Sequence, residues 1–333
     1  MRSMWREMLF ALVMGLVVPA LLLSMAVLLL DREPETNISA ETVEAETLPI
    51  KETVLETVPL TMRLRDTDGS VTEMDMDAYL VGVVLAEMPA SFELEALKAQ
   101  AVVARTYTQK AVTTGGKHGD GSVCTQYSCC QAYITESGYL AKGGTQESID
   151  KVSSAVRATS GCVLTYEGEL IEATYFSCSG GITEDAAAVW GTDYPYLRSV
   201  KSPGEEEAAY YTDTVEFTAQ AFQDALGVSL SGEPESWFGS VTYTAGDGVD
   251  TMDIGGVSYS GTKLRSLLGL RSTSFTVSVS GESITITTRG FGHRVGMSQY
   301  GADAMAVAGS GFAEILAYYY QGTELIQWEL QGK

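Results

Sequence analysis

Residues 78–92 read Ala-Tyr-Leu-Val-Gly-Val-Val-Leu-Ala-Glu-Met-Pro-Ala-Ser-Phe, an apolar run in which Glu87 is the only charge. The run predicts a buried helix that stops near Pro89, because proline disfavours helical backbone in the residue before it. A carboxylate at this helix edge loses hydration, which raises its pKa. Glu87 is therefore a candidate general acid. A buried ion pair between Glu87 and Arg105 is the structural alternative.

The segments around this helix predict a mixed α+β fold. Residues 60–64 and 71–74 flank an Asp-Thr-Asp-Gly turn, which is typical of a hairpin. A second helix is predicted from about residue 92 to residue 112, with Ser91 as its N-cap. A further helix is predicted at about 145–159.

The second half of the chain predicts a core domain with an insertion. A hairpin is predicted over residues 162–176, turning at 167–169. Residues 204–288 contain a predicted helix at 218–226 and then alternating strands, so they predict a smaller β-rich subdomain inserted into a core domain that spans 60–333.

The N-terminal region predicts a membrane anchor. Residues 8–30 form an apolar run of 23 residues without a charge, which is long enough to span a bilayer. Arg2 and Arg6 precede the run and acidic residues follow it, so residues 1–30 are predicted to form an uncleaved single-pass anchor with a cytoplasmic N-terminus. A cleaved signal peptide is the alternative. Residues 31–59 are predicted to form an acidic, disordered tether.

Charge and cysteine content limit the function classes. The net charge of −22 argues against nucleic-acid binding, which needs a basic face.

His118, Cys124 and Cys130 are spaced as candidate zinc ligands, and three protein ligands can leave a fourth position for water or substrate. A disulfide from Cys124 to Cys129 or Cys130 is the alternative outside the membrane. Because the chain has five cysteines, they cannot all pair within it.

Residues 174–183 are rich in small hydroxyls and contain Gly-Gly, where backbone amides can approach a ligand closely. Such a segment suits a sugar, with Trp190 among the nearby aromatic residues available for stacking. A nucleophilic Ser177 or Cys178 with His293 as its base is a competing hypothesis. It is disfavoured because no Gly-x-Ser-x-Gly motif is present. A plain strand and turn is the structural alternative.

Residues 289–302 place four glycines around His293, and a helix is predicted to start near Met297 or Ser298. His293 and Gln299 are candidates to reach the same cleft as Glu87. A core histidine in a tight turn is the alternative.

Five motifs in family order resemble the stage II sporulation protein D family, also called the SpoIID/LytB domain. They are residues 85–89 with 97–107, 130–133, 175–181, 189–191 with 195–197, and 292–302. The resemblance implies a lytic transglycosylase that cleaves peptidoglycan between N-acetylmuramic acid and N-acetylglucosamine, leaving 1,6-anhydro ends during engulfment of the forespore.

The resemblance also implies roles for single residues. Glu87 occupies the position of the catalytic glutamate and acts first as acid, then as base. Arg105, Tyr175, Ser177, Thr183 and Gln299 match positions of the sugar-binding cleft, where His293 is also a candidate.

The spacing of His118, Cys124 and Cys130 resembles a zinc site of some clostridial members, which implies a structural ion beside the cleft. Cys129 leaves the choice of thiols open. The chain departs from the family at Arg294, which stands where the family turn has glycine.

The implied partners are peptidoglycan strands and the stage II sporulation proteins P and M, of which the former is an amidase that strips stem peptides. The implied location of the catalytic domain is the intermembrane space between mother cell and forespore. Two rival functions are a glycan-binding activator of a cell-wall amidase without activity of its own, and a zinc hydrolase.

Overall fold

A computed structural model describes residues 61–327 of the protein, so the predicted anchor and the whole of the predicted tether lie outside the described residues. Within 61–327 the chain forms nine α-helices and fourteen strands in five small sheets. The predicted mixed α+β class is therefore confirmed for this range. A search of the same residues finds no helix with the length and apolar character needed to cross a bilayer.

The predicted N-terminal hairpin is present. Strand β1 (Thr61–Arg65) pairs antiparallel with β2 (Val71–Asp75). On its other edge β1 pairs in parallel with β3 (Ser122–Cys124), which places Cys124 opposite Arg65.

Helix α1 (Met76–Glu87) carries the apolar run. The carboxylate of Asp75 accepts the Ala78 N–H at 2.9 Å and so caps the first turn. Eight of its twelve residues are buried, as the uninterrupted apolar sequence predicts. Met88 is extended, so the helix ends at Glu87, ahead of Pro89.

Helix α2 (Leu94–Thr114) packs against α1 and ends at Gly115, whose φ of 86° is left-handed. The prediction of Ser91 as its N-cap was wrong. The Phe92 N–H bonds to the Pro89 carbonyl at 3.0 Å, and this turn delays the helix until Glu93 occupies the cap position.

The remaining elements of the core follow in chain order. They are α3 (Glu136–Ala141), α4 (Gln146–Ala158), β4 (Cys162–Tyr166), β5 (Glu169–Leu170), β6 (Tyr175–Phe176), α5 (Ala186–Trp190), β13 (Met297–Ser298), α8 (Gln299–Val307), α9 (Phe312–Tyr319) and β14 (Glu324–Gln327). The predicted helix at 145–159 is confirmed as α4, and the helix predicted near Met297 or Ser298 begins at Gln299.

The hairpin predicted over residues 162–176 is correct only as far as Leu170. The Thr174 N–H bonds to the Glu172 carbonyl at 3.0 Å, and this turn leads the chain away from β4. Strand β6 instead pairs in parallel with β13, with Tyr175 opposite Met297.

A second hydrophobic cluster lies between residues 219 and 286, separate in sequence from the cluster built on α1 and α2. Its elements are β7 (Thr212–Thr218), α6 (Ala219–Leu226), β8 (Phe238–Tyr243), β9 (Val249–Ile254), β10 (Val257–Ser260), α7 (Gly261–Leu268), β11 (Phe275–Ser280) and β12 (Ser283–Arg289). The helix and strands predicted in this region are confirmed. The boundaries 204 and 288 of an inserted subdomain stay a prediction.

Candidate active site

Glu87 is the last residue of α1 and is half-buried. Its Oε1 accepts the Ala132 N–H at 2.6 Å, and it forms no ion pair within residues 61–327. Burial raises the pKa of Glu87, and the opposing effects of the Ala132 amide and the Tyr175 hydroxyl do not cancel that rise. The carboxyl group therefore holds its proton to a higher pH than an exposed glutamate.

A hydrogen-bonded network lies behind Glu87. The Tyr175 hydroxyl donates to Gln131 Oε1 at 3.2 Å, and Gln131 Nε2 donates to Thr108 Oγ1 at 2.9 Å. Burial, reinforced by the nearby Glu87 charge, raises the pKa of Tyr175 well above its usual value, so this phenol stays neutral. Gln131 is the residue that sequence reasoning missed. A glutamine inside the Cys-Gln-Ala-Tyr motif was the available signal.

The segment 131–134 reaches Glu87 because α1 has a glycine where the two segments cross. The Ile134 N–H donates to the Gly82 carbonyl at 3.2 Å. A Cβ at Gly82 would lie 2.4 Å from the Tyr133 ring, closer than any real carbon contact. Glycine costs a helix about 1 kcal/mol relative to alanine, and here it allows the Ala132 amide to approach the helix end.

His293 lies four residues before β13, which pairs with β6, and its ring packs edge-on against Phe176 of β6 with centroids 5.7 Å apart. Its Nδ1 accepts the Val295 N–H at 3.1 Å, and its ring centroid is 5.2 Å from that of Trp190. Burial and then the positive charge of Arg265 lower the pKa of His293 to about 4, so the imidazole is neutral near pH 7. Strand β6 thus places Tyr175 beside Glu87 and Phe176 beside His293, and the 43% exposed Trp190 ring lies against the imidazole.

The structure does not support the nucleophile hypothesis. Cys178 is fully buried, and burial together with Glu205 raises the pKa of its thiol to about 12. Ser177 is half-buried, and its backbone carbonyl accepts the Tyr300 N–H at 3.1 Å. Within the described residues no hydrogen bond joins His293 to either side chain, so His293 is not in place as their base.

Arg105 is not brought to Glu87. Its side chain is 1% exposed and pairs with Asp77 in the first turn of α1. Asp77 and Glu87 are ten residues apart, or about 15 Å along the helix axis. The alternative of a Glu87–Arg105 ion pair was therefore wrong.

Thr183 and Gln299 are also enclosed by protein. Thr183 is fully buried, and its hydroxyl accepts the Val200 N–H at 2.8 Å. Gln299 is 5% exposed, and its amide nitrogen lies 3.5 Å from Gln100 Oε1. The substrate-binding role of Arg105, Thr183 and Gln299 stays a prediction. Tyr175, Ser177 and His293 keep partial exposure.

Arg294 has φ of +64°, so the backbone there keeps the left-handed shape that glycine adopts most easily. Its buried guanidinium lies 3.3 Å from Glu184 Oε1 and donates to the Gly246 carbonyl at 2.5 Å. Because Gly246 follows β8, Arg294 connects the histidine turn (residues 292–296) to the segment that carries the second hydrophobic cluster.

His118, Cys124, Cys129 and Cys130 form a His/Cys cluster whose ligand atoms lie within 4.8 Å of one another. His118 Nε2 is 3.5 Å from Cys130 Sγ and 3.8 Å from Cys129 Sγ, and the two sulfurs are 3.9 Å apart. Tetrahedral zinc with usual bond lengths implies about 3.6 Å for N···S and about 3.8 Å for S···S. The cluster therefore fits a tetrahedral metal ion.

The cluster bears on two alternatives that the sequence left open. Cys129 was left as an open choice, and the structure places it with the other three side chains, so no ligand position is left over. All five cysteines are free thiols, so the disulfide alternative is not formed. Cys130 is two residues before Ala132, which connects the cluster to the amide that holds Glu87.

Comparison with known proteins shows the family to which the chain belongs. The family described as "Stage II sporulation protein" matches residues 65–166, which include α1, α2 and the His/Cys cluster. Stage II sporulation protein D of Bacillus subtilis is 39% identical over 89% of this chain and 88% of its own length. The protein of the same name from Bacillus amyloliquefaciens is 39% identical over 89% of this chain and 86% of its own. The amidase enhancer of Bacillus subtilis is 32% identical over 75% of this chain but only 40% of its own length. The chain belongs to the stage II sporulation protein D family.

Proposed function

We propose that the chain is a membrane-anchored lytic transglycosylase that cleaves peptide-stripped peptidoglycan between N-acetylmuramic acid and N-acetylglucosamine during sporulation. The observation that carries the proposal is the environment of Glu87, a half-buried carboxyl group with a raised pKa and no cation bonded to it within residues 61–327. Such a group can arrive protonated at a glycosidic oxygen and still become a carboxylate after donation.

One carboxyl group suffices for the reaction. The Glu87 proton passes to the glycosidic oxygen as the C1–O bond breaks. The muramoyl C6 hydroxyl then attacks C1, and its proton passes to the Glu87 carboxylate. The product is a 1,6-anhydro sugar, no water is consumed, and Glu87 is again protonated. Hydrolases differ, because they use two carboxyl groups that flank the bond.

Tyr175, which lies beside Glu87, and His293, which packs against the next residue of β6, suit this cycle. Both are neutral near pH 7 and can form hydrogen bonds to sugar hydroxyls without neutralising Glu87. Trp190 offers an exposed ring for the apolar face of a sugar.

The His/Cys cluster suits a structural zinc ion. One histidine and three cysteines complete a tetrahedral shell, so they leave no coordination position for a reactive water. This favours a structural role over a zinc hydrolase. Bound zinc would fix the turn that leads into Gln131 and Ala132, and the chemistry would rest on Glu87 alone.

The proposal extends to organisation and partners. Residues 1–30 would anchor the protein in the membrane, residues 31–59 would act as a tether, and the domain with its β-rich insertion at about 204–288 would face the intermembrane space. An amidase, stage II sporulation protein P, would supply stripped strands. Stage II sporulation protein M would be the other partner.

Product analysis tests the proposal. The full chain in detergent is incubated with peptide-free glycan strands, beside Glu87→Gln and beside Glu169→Gln, an exposed glutamate that serves as the charge control. Mass spectrometry should find anhydro-muramoyl ends from the wild type and the control only. Reducing ends would mean hydrolysis, and no product from the wild type would reject the enzymatic function.

A second candidate function is an activator of a cell-wall amidase, favoured by the relative named amidase enhancer. In that case Glu87→Gln should stimulate a partner amidase as well as the wild type does. Loss of stimulation together with loss of cleavage would reject it.

A further inference from the structure

Most arginines in residues 61–327 are paired with a carboxylate or lie in water. Three form no ion pair within that range: Arg157, Arg265 and Arg289. Arg157 and Arg289 are exposed, whereas Arg265 is half-buried. Its side chain also makes no hydrogen bond to any residue of the described range. Removing a guanidinium from water without a counterion is unfavourable, and the chain carries a net charge of −22.

Arg265 belongs to α7, and the loop after this helix approaches the histidine turn. The Gly292 N–H donates to the Arg271 carbonyl at 3.1 Å, which fixes the segment after α7 beside His293. The Leu270 N–H donates to the Arg265 carbonyl at 2.9 Å, so two backbone hydrogen bonds connect the end of α7 to the turn that holds His293. The positive charge of Arg265 also contributes to the lowered pKa of His293. Burial alone lowers the pKa of Arg265, and no nearby carboxylate opposes that effect.

Three chemically different groups are therefore carried by the segments that meet at the turn around His293. Trp190 presents an exposed indole ring, His293 a neutral imidazole in contact with it, and Arg265 an uncompensated positive charge. An aromatic ring suits the apolar face of a sugar, an imidazole suits a hydroxyl, and a guanidinium suits a carboxylate.

We propose that Arg265 is a specificity residue that binds the carboxylate of an acidic sugar lying against Trp190 and His293. This inference rests on the proposed function and narrows its substrate. Muramic acid carries a lactyl group whose carboxylate is free only when no peptide is attached. In a strand that keeps its peptides the same position is a neutral amide. Arg265 would thus distinguish stripped from unstripped strands by charge.

Binding to two forms of one glycan tests this. Peptide-free strands are compared with the same strands after methyl esterification, which removes the charge and keeps the sugar backbone. Binding is measured by calorimetry with the Glu87→Gln protein, so that the strands are not consumed. We expect about tenfold tighter binding of the carboxylate form, the size expected for one charge-assisted contact.

Adding Arg265→Gln should remove this preference and leave the affinity for the ester unchanged. Arg157→Gln removes the same charge from an exposed, unpaired arginine of α4 and should keep the preference. Arg265→Met is a second neutral replacement and is scored on the same ratio if the Gln variant does not fold.

A preference that persists in Arg265→Gln or Arg265→Met would overturn the inference. Equal binding of the two kinds of strand by the Glu87→Gln protein would overturn the inference as well. If the protein with Glu87 intact still releases anhydro ends, the proposed function stands in that case. If the Glu87-intact form releases no anhydro ends from either strand, the proposed function fails and the inference fails with it.

Discussion

Glu87 and Glu205 are both withdrawn from water, but their carboxylates have opposite surroundings. Glu205 is 1% exposed, and its Oε2 accepts the Ser179 N–H at 2.8 Å and the Ser179 hydroxyl at 2.7 Å. The Gly180 N–H donates to the same oxygen at 3.0 Å, and the Ser202 hydroxyl donates to Oε1 at 2.6 Å.

Glu87 accepts one backbone N–H and has a neutral tyrosine beside it. The number of donors therefore separates the two glutamates. A carboxylate enclosed by donors holds loops together, whereas a carboxyl group with few donors keeps oxygen lone pairs available for a proton transfer. Glu184 is a third case, because an arginine neutralises it.

The largest expected effect is the loss of cleavage when the carboxyl group of Glu87 is replaced by an amide. Glu87→Gln should lower the rate of strand cleavage by at least about a thousandfold, since the general acid is lost. Its unfolding midpoint in urea should stay near that of the wild type. Release of anhydro ends, measured beside the unfolding curve, checks both. A Glu87→Gln protein that cleaves at a tenth of the wild-type rate would contradict the assignment.

Breaking the ion pair between Glu184 and Arg294 should mainly affect stability. Arg294→Met leaves the buried Glu184 without its cation and should cost about 3–5 kcal/mol of unfolding free energy. The double variant Arg294→Met/Glu184→Leu should recover most of this loss, since it removes the stranded charge. Urea unfolding measures both. Equal stability of the single and double variants would show that the pair is not what stabilises this contact.

Glu205→Gln should destabilise the fold by about 1.5–3 kcal/mol, because an amide cannot accept from all of the donors around it. Cleavage per folded molecule should change little. A loss of activity comparable with that of Glu87→Gln, in protein that remains folded, would break the distinction between the two glutamates.

The smallest expected effect is a shift of the pH profile. Glu87 must be protonated to act, so cleavage should fall as pH rises through its raised pKa. Tyr175→Phe removes a hydroxyl that lowers this pKa, so the alkaline limb should move to higher pH. The rate measured from pH 4 to 9 checks this, with Glu205→Gln as a variant whose limb should not move.

The same pKa shift affects stability. The folded chain holds the Glu87 proton more tightly than the unfolded chain does. This contribution is therefore present below the unfolded pKa and is lost as pH rises through the folded pKa. The unfolding free energy of Glu87→Gln, measured over the same pH range, should lack this loss of stability at higher pH.

The sequence predicted what local pattern determines. An apolar run followed by Pro89 placed Glu87 at a helix end, and spacing identified three of the four cluster ligands. The ion-pair partner of a buried side chain was not predictable where it depends on how two helices align. Arg105 had several acidic residues to choose from, and its pairing with Asp77 follows from the packing of α2 on α1.

Two other features escaped prediction for the same reason. The N-cap of α2 moved from Ser91 because a turn at Pro89 intervenes, and that turn is set by a backbone hydrogen bond rather than by residue type. Gln131 is notable only once its amide is seen between Tyr175 and Thr108, which come from distant parts of the chain.

Gly82 has a consequence for how relatives diverge. Any side chain at this place must displace the Tyr133 ring, and with it the segment that carries the Ala132 amide to Glu87. If the proposed function holds, a homologue that keeps the glutamate but has gained a side chain at position 82 should have lost the hydrogen bond that holds the glutamate, and with it most of its cleavage activity. The residue type at position 82 should then separate relatives that can hold the glutamate as this chain does from relatives that cannot.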